Sequence, residues 1–188
     1  MISQLPNLLT LLRIAACPVL VLLLRDRAYD WAMVVFLIAG ITDGLDGYIA
    51  KRYNFVSGFG AILDPIADKL LIASAYIMLA MLDGIPFWLL VAVMFRDLVI
   101  VVGYLVLVMM GDDVPMKPSY ISKVNTFLQI SLVVAVLGGK ADWLRIPPNF
   151  DALVLDALIA GVLVTTVVSG SRYVWEWGIR REETGAGL

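Results

Sequence analysis

Four aspartates are spaced for chemistry. Asp43 and Asp46 stand three positions apart, and Asp64 and Asp68 four apart. On a helix, either spacing puts two carboxylates on one face. Both pairs lie in strongly apolar stretches, where an ionised group costs at least about 2.5 kcal/mol. Four such groups at one depth repel one another, so they protonate or are neutralised by cations. Every donor is an oxygen and the chain has no histidine, which favours hard ions, Mg2+ or Mn2+. Two divalent ions balance four carboxylates, and a metal pair about 4 Å apart clamps a phosphate during displacement. Gly44, Gly47 and Gly60 strip side chains from around the acids, although each helical glycine costs about 1 kcal/mol relative to alanine. Either something bulky approaches the backbone there, or helices pack closely through small residues. A proton- or cation-coupled transporter could use the same acids, so that class stays open. Chemistry that needs an imidazole base, nucleophile or ligand is excluded.

The elements that position these residues follow from hydropathy. Of 188 residues, 61% are hydrophobic, and the mean hydropathy is +0.92. A soluble domain is about half apolar, so lipid is expected around most of the fold. Six stretches reach the roughly 20 apolar residues that a membrane helix needs. They run from about Leu8 to Leu24, Trp31 to Ala50, Ala61 to Leu82, Phe87 to Met110, Ile121 to Leu137 and Leu153 to Tyr173. Turn signals separate them: Arg25-Asp26-Arg27, the Ser57-Gly58 and Gly60 segment, Asp83-Gly84-Ile85-Pro86, and two Gly- and Pro-bearing stretches further on. The expected fold is all-α, a polytopic six-helix membrane bundle forming one domain over 1–188. The loop between the second and third spans is short, so those helices are expected to run antiparallel with the acidic pairs at one depth. Seven basic residues fall on the side of the Asn54–Gly60 loop and four on the other, which puts both termini and the acids in the cytoplasm. Trp175 and Trp177 beside Arg180 and Arg181 suit a membrane interface. The N-terminus is read as carrying no removable leader. Cys17 is read as a packing residue, and no basic tract suits nucleic acid.

The run Asp43-Gly-Leu-Asp46-Gly47-Tyr-Ile-Ala50-Lys51, followed by Gly60-Ala-Ile-Leu-Asp64-Pro-Ile-Ala-Asp68, closely resembles the signature of the CDP-alcohol phosphatidyltransferase family. Lys51 stands where the family usually has arginine. Charge is kept but bidentate hydrogen bonding is lost, and Arg52 follows directly. The resemblance covers nearly the whole chain. Leu5-Pro6-Asn7 through Arg13-Ile14 resembles the opening of the phosphatidylglycerophosphate and cardiolipin synthase branches. Arg96-Asp97 and Pro118-Ser-Tyr-Ile-Ser122-Lys123-Val-Asn125-Thr126 with Gln129 are more similar to eukaryotic-type cardiolipin synthases.

The resemblance implies a homodimer in a membrane, expected to be a bacterial inner membrane, with a cavity open to the cytoplasmic leaflet. CDP-diacylglycerol would bind with its diphosphate on two ions held by Asp43, Asp46 and Asp64. Asp68 would be the general base and touch metal as well. Gly47, Ala50 and Gly60 would make room for the cytidine, and Lys51 or Arg52 would steady the departing CMP. The acceptor would be anionic: phosphatidylglycerol for a cardiolipin synthase, or glycerol 3-phosphate for a phosphatidylglycerophosphate synthase. Arg96, Ser122, Lys123 and Asn125 are the expected acceptor residues. Arg96 could instead pair with Asp97 or snorkel, and Lys123 could mark the membrane edge. The missing histidine rules out a phospholipase-D type of cardiolipin synthase, which needs a phosphohistidine.

Overall fold

In the computed structural model the backbone is described for residues 5–53, 60–109, 120–143 and 148–185, and side chains for 11–42, 69–102, 120–143, 152–173 and Trp175. These residues form six α-helices: α1 (Leu5–Arg25), α2 (Tyr29–Tyr53), α3 (Gly60–Met81), α4 (Phe87–Met109), α5 (Tyr120–Lys140) and α6 (Pro148–Gly185). No strand occurs among the described residues. Every span expected from hydropathy coincides with a helix, but α6 starts earlier than Leu153 and runs on past Tyr173. Among the described residues, Tyr120–Lys140 and Ala152–Tyr173 are each long and apolar enough to cross a membrane.

The chain divides into two compact units. The first comprises Met1–Ile85 and Val133–Val154. Within it α1 packs against both α2 and α3, burying Leu20 and Leu24 of α1, Met33 and Phe36 of α2, and Leu71, Tyr76 and Leu79 of α3.

Two helix ends in this unit close the same way. After α1, Arg27 N–H bonds the Leu24 carbonyl (3.0 Å) and Ala28 N–H reaches back to Leu23 (2.9 Å). After α3, Asp83 N–H bonds Ala80 (3.4 Å) and Gly84 N–H bonds Leu79 (2.7 Å). This pairing satisfies carbonyls that a helix end leaves open and needs a left-handed residue at the bend. Arg27 (φ 57) and Asp83 (φ 53) take that place. Gly84 serves a different need. A Cβ there would meet Val136 Cγ1 at 3.0 Å and the Leu79 carbonyl at 3.2 Å. Lys140, in the last turn of α5, donates to the Leu82 carbonyl at 3.2 Å and sits 5.4 Å above the Tyr29 ring. It ties α5 to the end of α3 and the start of α2.

The second unit comprises Pro86–Leu132 and Leu155–Leu188. Its buried positions recur at helical spacing: Leu89, Val93 and Arg96 on α4; Asn125, Gln129 and Leu132 on α5; Val162, Thr166 and Ser169 on α6. Large apolar side chains lie on the outside instead, among them Phe87, Val91, Phe95 and Leu98 on α4 and Val164, Val167 and Val168 on α6. Apolar surface outward with buried polar groups inside inverts the soluble pattern and fits lipid as the surrounding medium.

Candidate functional site

The two acidic pairs lie in helical backbone. Asp43 and Asp46 fall in the second half of α2, and Asp64 and Asp68 in the first half of α3. The i,i+3 and i,i+4 spacings therefore hold, and each pair shares a helix face. The side chains of the four aspartates, and of Ala50, Lys51 and Arg52 with the surroundings of Gly47 and Gly60, lie outside the described residues. The donor set itself, four carboxylates with no histidine in the chain, suits hard divalent ions. Upstream, Thr42 bonds its hydroxyl to the Ile38 and Ala39 carbonyls at 2.9 Å, an ordinary helical back-bond. Arg13 of α1 is 2% exposed, a buried cation on the helix that packs against both acid-bearing helices. At about 1.5 Å per residue, Arg13 sits about 12 Å into α1, Asp68 about 12 Å into α3, and Asp46 about 10 Å from the end of α2.

The second unit holds a buried polar network centred on Arg96, whose side chain is 3% exposed. Its Nη1 donates to Asp97 Oδ1 at 2.7 Å. Nη2 donates twice, to Ser122 Oγ at 2.6 Å and to Ser169 Oγ at 2.7 Å. One guanidinium thus links α4, α5 and α6. α6 passes beside the Arg96 stem here: a Cβ at Gly170 would sit 3.7 Å from Arg96 Cγ, an ordinary van der Waals contact. The Arg96–Asp97 pairing, the alternative weighed against an acceptor role, is present, and the two serines hold Arg96 as well. One turn along α5, Asn125 Oδ1 accepts from Thr166 at 3.0 Å and from Thr165 at 2.8 Å. Thr165 has a single hydroxyl proton, and its Oγ1 also lies 2.8 Å from the Gly161 carbonyl, so Thr166 is the steadier partner. Arg96 Nε and Asn125 Nδ2 are buried with no hydrogen-bond partner among the described residues. A buried unpaired donor costs about 1–3 kcal/mol. A ligand rich in oxygen would satisfy both.

Of the four expected acceptor residues, Arg96, Ser122 and Asn125 fall in or beside this network, while Lys123 is exposed. Ser169, Thr165 and Thr166 were not among the residues singled out by sequence. Their signal was faint: hydroxyls three and four apart on one face of an apolar helix. Cys17 is half-buried and gives its thiol proton to the Arg13 carbonyl at 3.4 Å, consistent with a packing role.

Comparison with known proteins gives the following. The family model described as "CDP-alcohol phosphatidyltransferase" matches residues 3–170. The "Probable phosphatidylglycerophosphate synthase" of Mycobacterium tuberculosis is 37% identical over 184 residues, covering 92% of this chain and 81% of that protein. The "CDP-diacylglycerol--glycerol-3-phosphate 3-phosphatidyltransferase" of Bacillus subtilis is 32% identical over 192 residues, covering 92% of this chain and 96% of that protein. The "Cardiolipin synthase (CMP-forming)" of Rattus norvegicus is 35% identical over 185 residues, covering 89% of this chain and 59% of that protein.

Proposed function

Because this chain belongs to the CDP-alcohol phosphatidyltransferase family and is a membrane-embedded enzyme of that type, we propose that it is a cardiolipin synthase. In this reading it moves the phosphatidyl group of CDP-diacylglycerol onto phosphatidylglycerol and releases CMP. The supporting observation is the Arg96 network. Among the residues that carry the resemblance to cardiolipin synthases, Asp97 and Ser122 bond the buried Arg96 guanidinium, whose Nε–H has no partner among the described residues, and Asn125 lies one turn along α5 from Ser122. That arrangement suits a phosphate-bearing acceptor.

The proposed reaction is a displacement at phosphorus. Asp68 takes the proton from the acceptor hydroxyl. The freed oxygen attacks the phosphorus that carries diacylglycerol, a new P–O bond forms, and the P–O bond to CMP breaks. Lys51 or Arg52 steadies the CMP phosphate as it leaves. Asp43, Asp46, Asp64 and Asp68 would hold Mg2+ or Mn2+, two ions in this reading, which when bound neutralise charge on the diphosphate. An unperturbed aspartate, with a pKa of about 3.9, is a weak base, so positioning carries much of the rate. Gly47, Ala50 and Gly60 leave room for the cytidine, and Arg96, Ser122, Asn125 and Lys123 face the acceptor. The six helices are proposed to span a bacterial inner membrane as one homodimeric domain, with the site open to the cytoplasm.

A second acceptor is favoured by a specific observation: the bacterial relatives named above are named for phosphatidylglycerophosphate synthesis. Purified protein given CDP-diacylglycerol, with phosphatidylglycerol and glycerol 3-phosphate in parallel, separates the readings. Cardiolipin formed with the first and no product with the second is expected. Phosphatidylglycerophosphate from the second alone would assign the other branch. Neither product, with no CMP released, would favour a transporter.

A further inference from the structure

We propose that Ser169 of α6 is a positioning residue for the acceptor: it fixes the Arg96 guanidinium so that the unpaired Nε–H meets the acceptor's phosphate. This rests on the reading that Arg96 binds the acceptor. A guanidinium has five N–H bonds. Three are committed, one to Asp97 and one to each of two serines. The remainder include the buried Nε–H, which has no partner among the described residues.

The partners differ in what they do to the charge. Asp97 neutralises it at Nη1. The serines contact Nη2 as neutral acceptors, so they orient the plane without removing positive charge, and each keeps its own O–H to donate. Ser169 is 1% exposed, and its hydroxyl lies 2.7 Å from Arg96 Nη2. Ser122 and Ser169 arrive from different helices, so together they stop the planar group from rotating about its own axis. With one of them gone, the guanidinium turns about the remaining bonds and the Nε–H loses its fixed direction. Asn125 Nδ2, another buried donor without a partner among the described residues, lies one turn from Ser122 on α5. The ligand class is a phosphate ester carrying a free hydroxyl, whether a phosphodiester lipid headgroup or a soluble phosphomonoester.

Steady-state kinetics on S169A, S169T and S171A test this in detergent–lipid micelles, using whichever of phosphatidylglycerol and glycerol 3-phosphate the wild type accepts. Loss of one bond to a charged group predicts about a tenfold rise in acceptor KM for S169A, with kcat within about twofold and the KM for CDP-diacylglycerol unchanged. S169T keeps the hydroxyl and should restore the acceptor KM. S171A is the control, because Ser171 only back-bonds to Val168 of its own helix, and it should match wild type. Should S169A fail to accumulate, S169C, nearly isosteric with a poor acceptor, reads the same quantity. An unchanged acceptor KM in S169A or S169C overturns the proposal. So does a parallel rise in both KM values that S169T fails to correct, which marks a purely structural clamp. Which acceptor the wild type uses is read separately, so the synthase branch can fail while the role of Ser169 stands.

Discussion

Asparagine at position 68 keeps the size of aspartate but cannot take a proton. Asp68→Asn should therefore stop turnover while leaving CDP-diacylglycerol binding largely intact, read as loss of CMP release alongside retained nucleotide-lipid binding. Arg96 carries a double consequence. Arg96→Met removes the acceptor's proposed cation and also takes from Asp97, whose side chain is 15% exposed, its ion-pair partner. Losing one side of a part-buried ion pair leaves charge less compensated, so thermal stability should fall as well. Adding Asp97→Asn should recover most of the stability without recovering acceptor KM, which separates packing from binding. Arg96, Ser122 and Asn125 were legible because charged and amide groups inside an apolar span are conspicuous. Ser169, Thr165 and Thr166 were not, because a hydroxyl in a helix can satisfy itself on its own backbone, as Thr165 does on the Gly161 carbonyl. Only the packing of α6 against α4 and α5 shows which hydroxyls reach across.

At the scale of elements, hydropathy located all six helices, and turn chemistry located the two breaks described in full, after α1 and after α3. It did not say which residue bends. In Asp83-Gly84 the glycine looks like the left-handed residue, yet Asp83 has φ 53, and Gly84 is small because Val136 lies against it. That contact comes from α5, far along the chain, and no local pattern encodes it. Two substitutions should separate these roles. Gly84→Ala forces a methyl against Val136 and the Leu79 carbonyl, and should destabilise by about 1–3 kcal/mol. Asp83→Gly relieves a left-handed aspartate and should be neutral or stabilising by up to about 1 kcal/mol. Thermal unfolding in detergent checks both. The sixth apolar span, about Leu153 to Tyr173, matches the membrane-length stretch Ala152–Tyr173, but α6 is longer than that span, since residues beyond it such as Glu176, Arg180, Arg181 and Glu182 remain good helix formers. The helix continues to Gly185 because backbone hydrogen bonding does not need an apolar environment.

For the whole molecule, the distribution of polar and apolar groups is the main constraint. Large apolar side chains are exposed along all six helices, while Arg13, Arg96, Asn125 and Gln129 are buried. Such a chain keeps its packing only where lipid or detergent covers the outside, and its buried polar groups then mark places for polar ligands. The second unit supplies one such place, around Arg96. The first carries the acidic pairs on α2 and α3 with buried Arg13 on the helix packed against both. The account as a whole depends on phosphatidyl transfer that needs divalent ions held by those acids. The most direct measurement follows CMP release from CDP-diacylglycerol by purified protein through a cycle of exhaustive chelation and Mg2+ or Mn2+ readdition, with Asp64→Asn alongside. Release that vanishes on chelation, returns with the ion and stays absent in folded Asp64→Asn is the predicted result. Undiminished release under chelation, or wild-type turnover by Asp64→Asn, would contradict it.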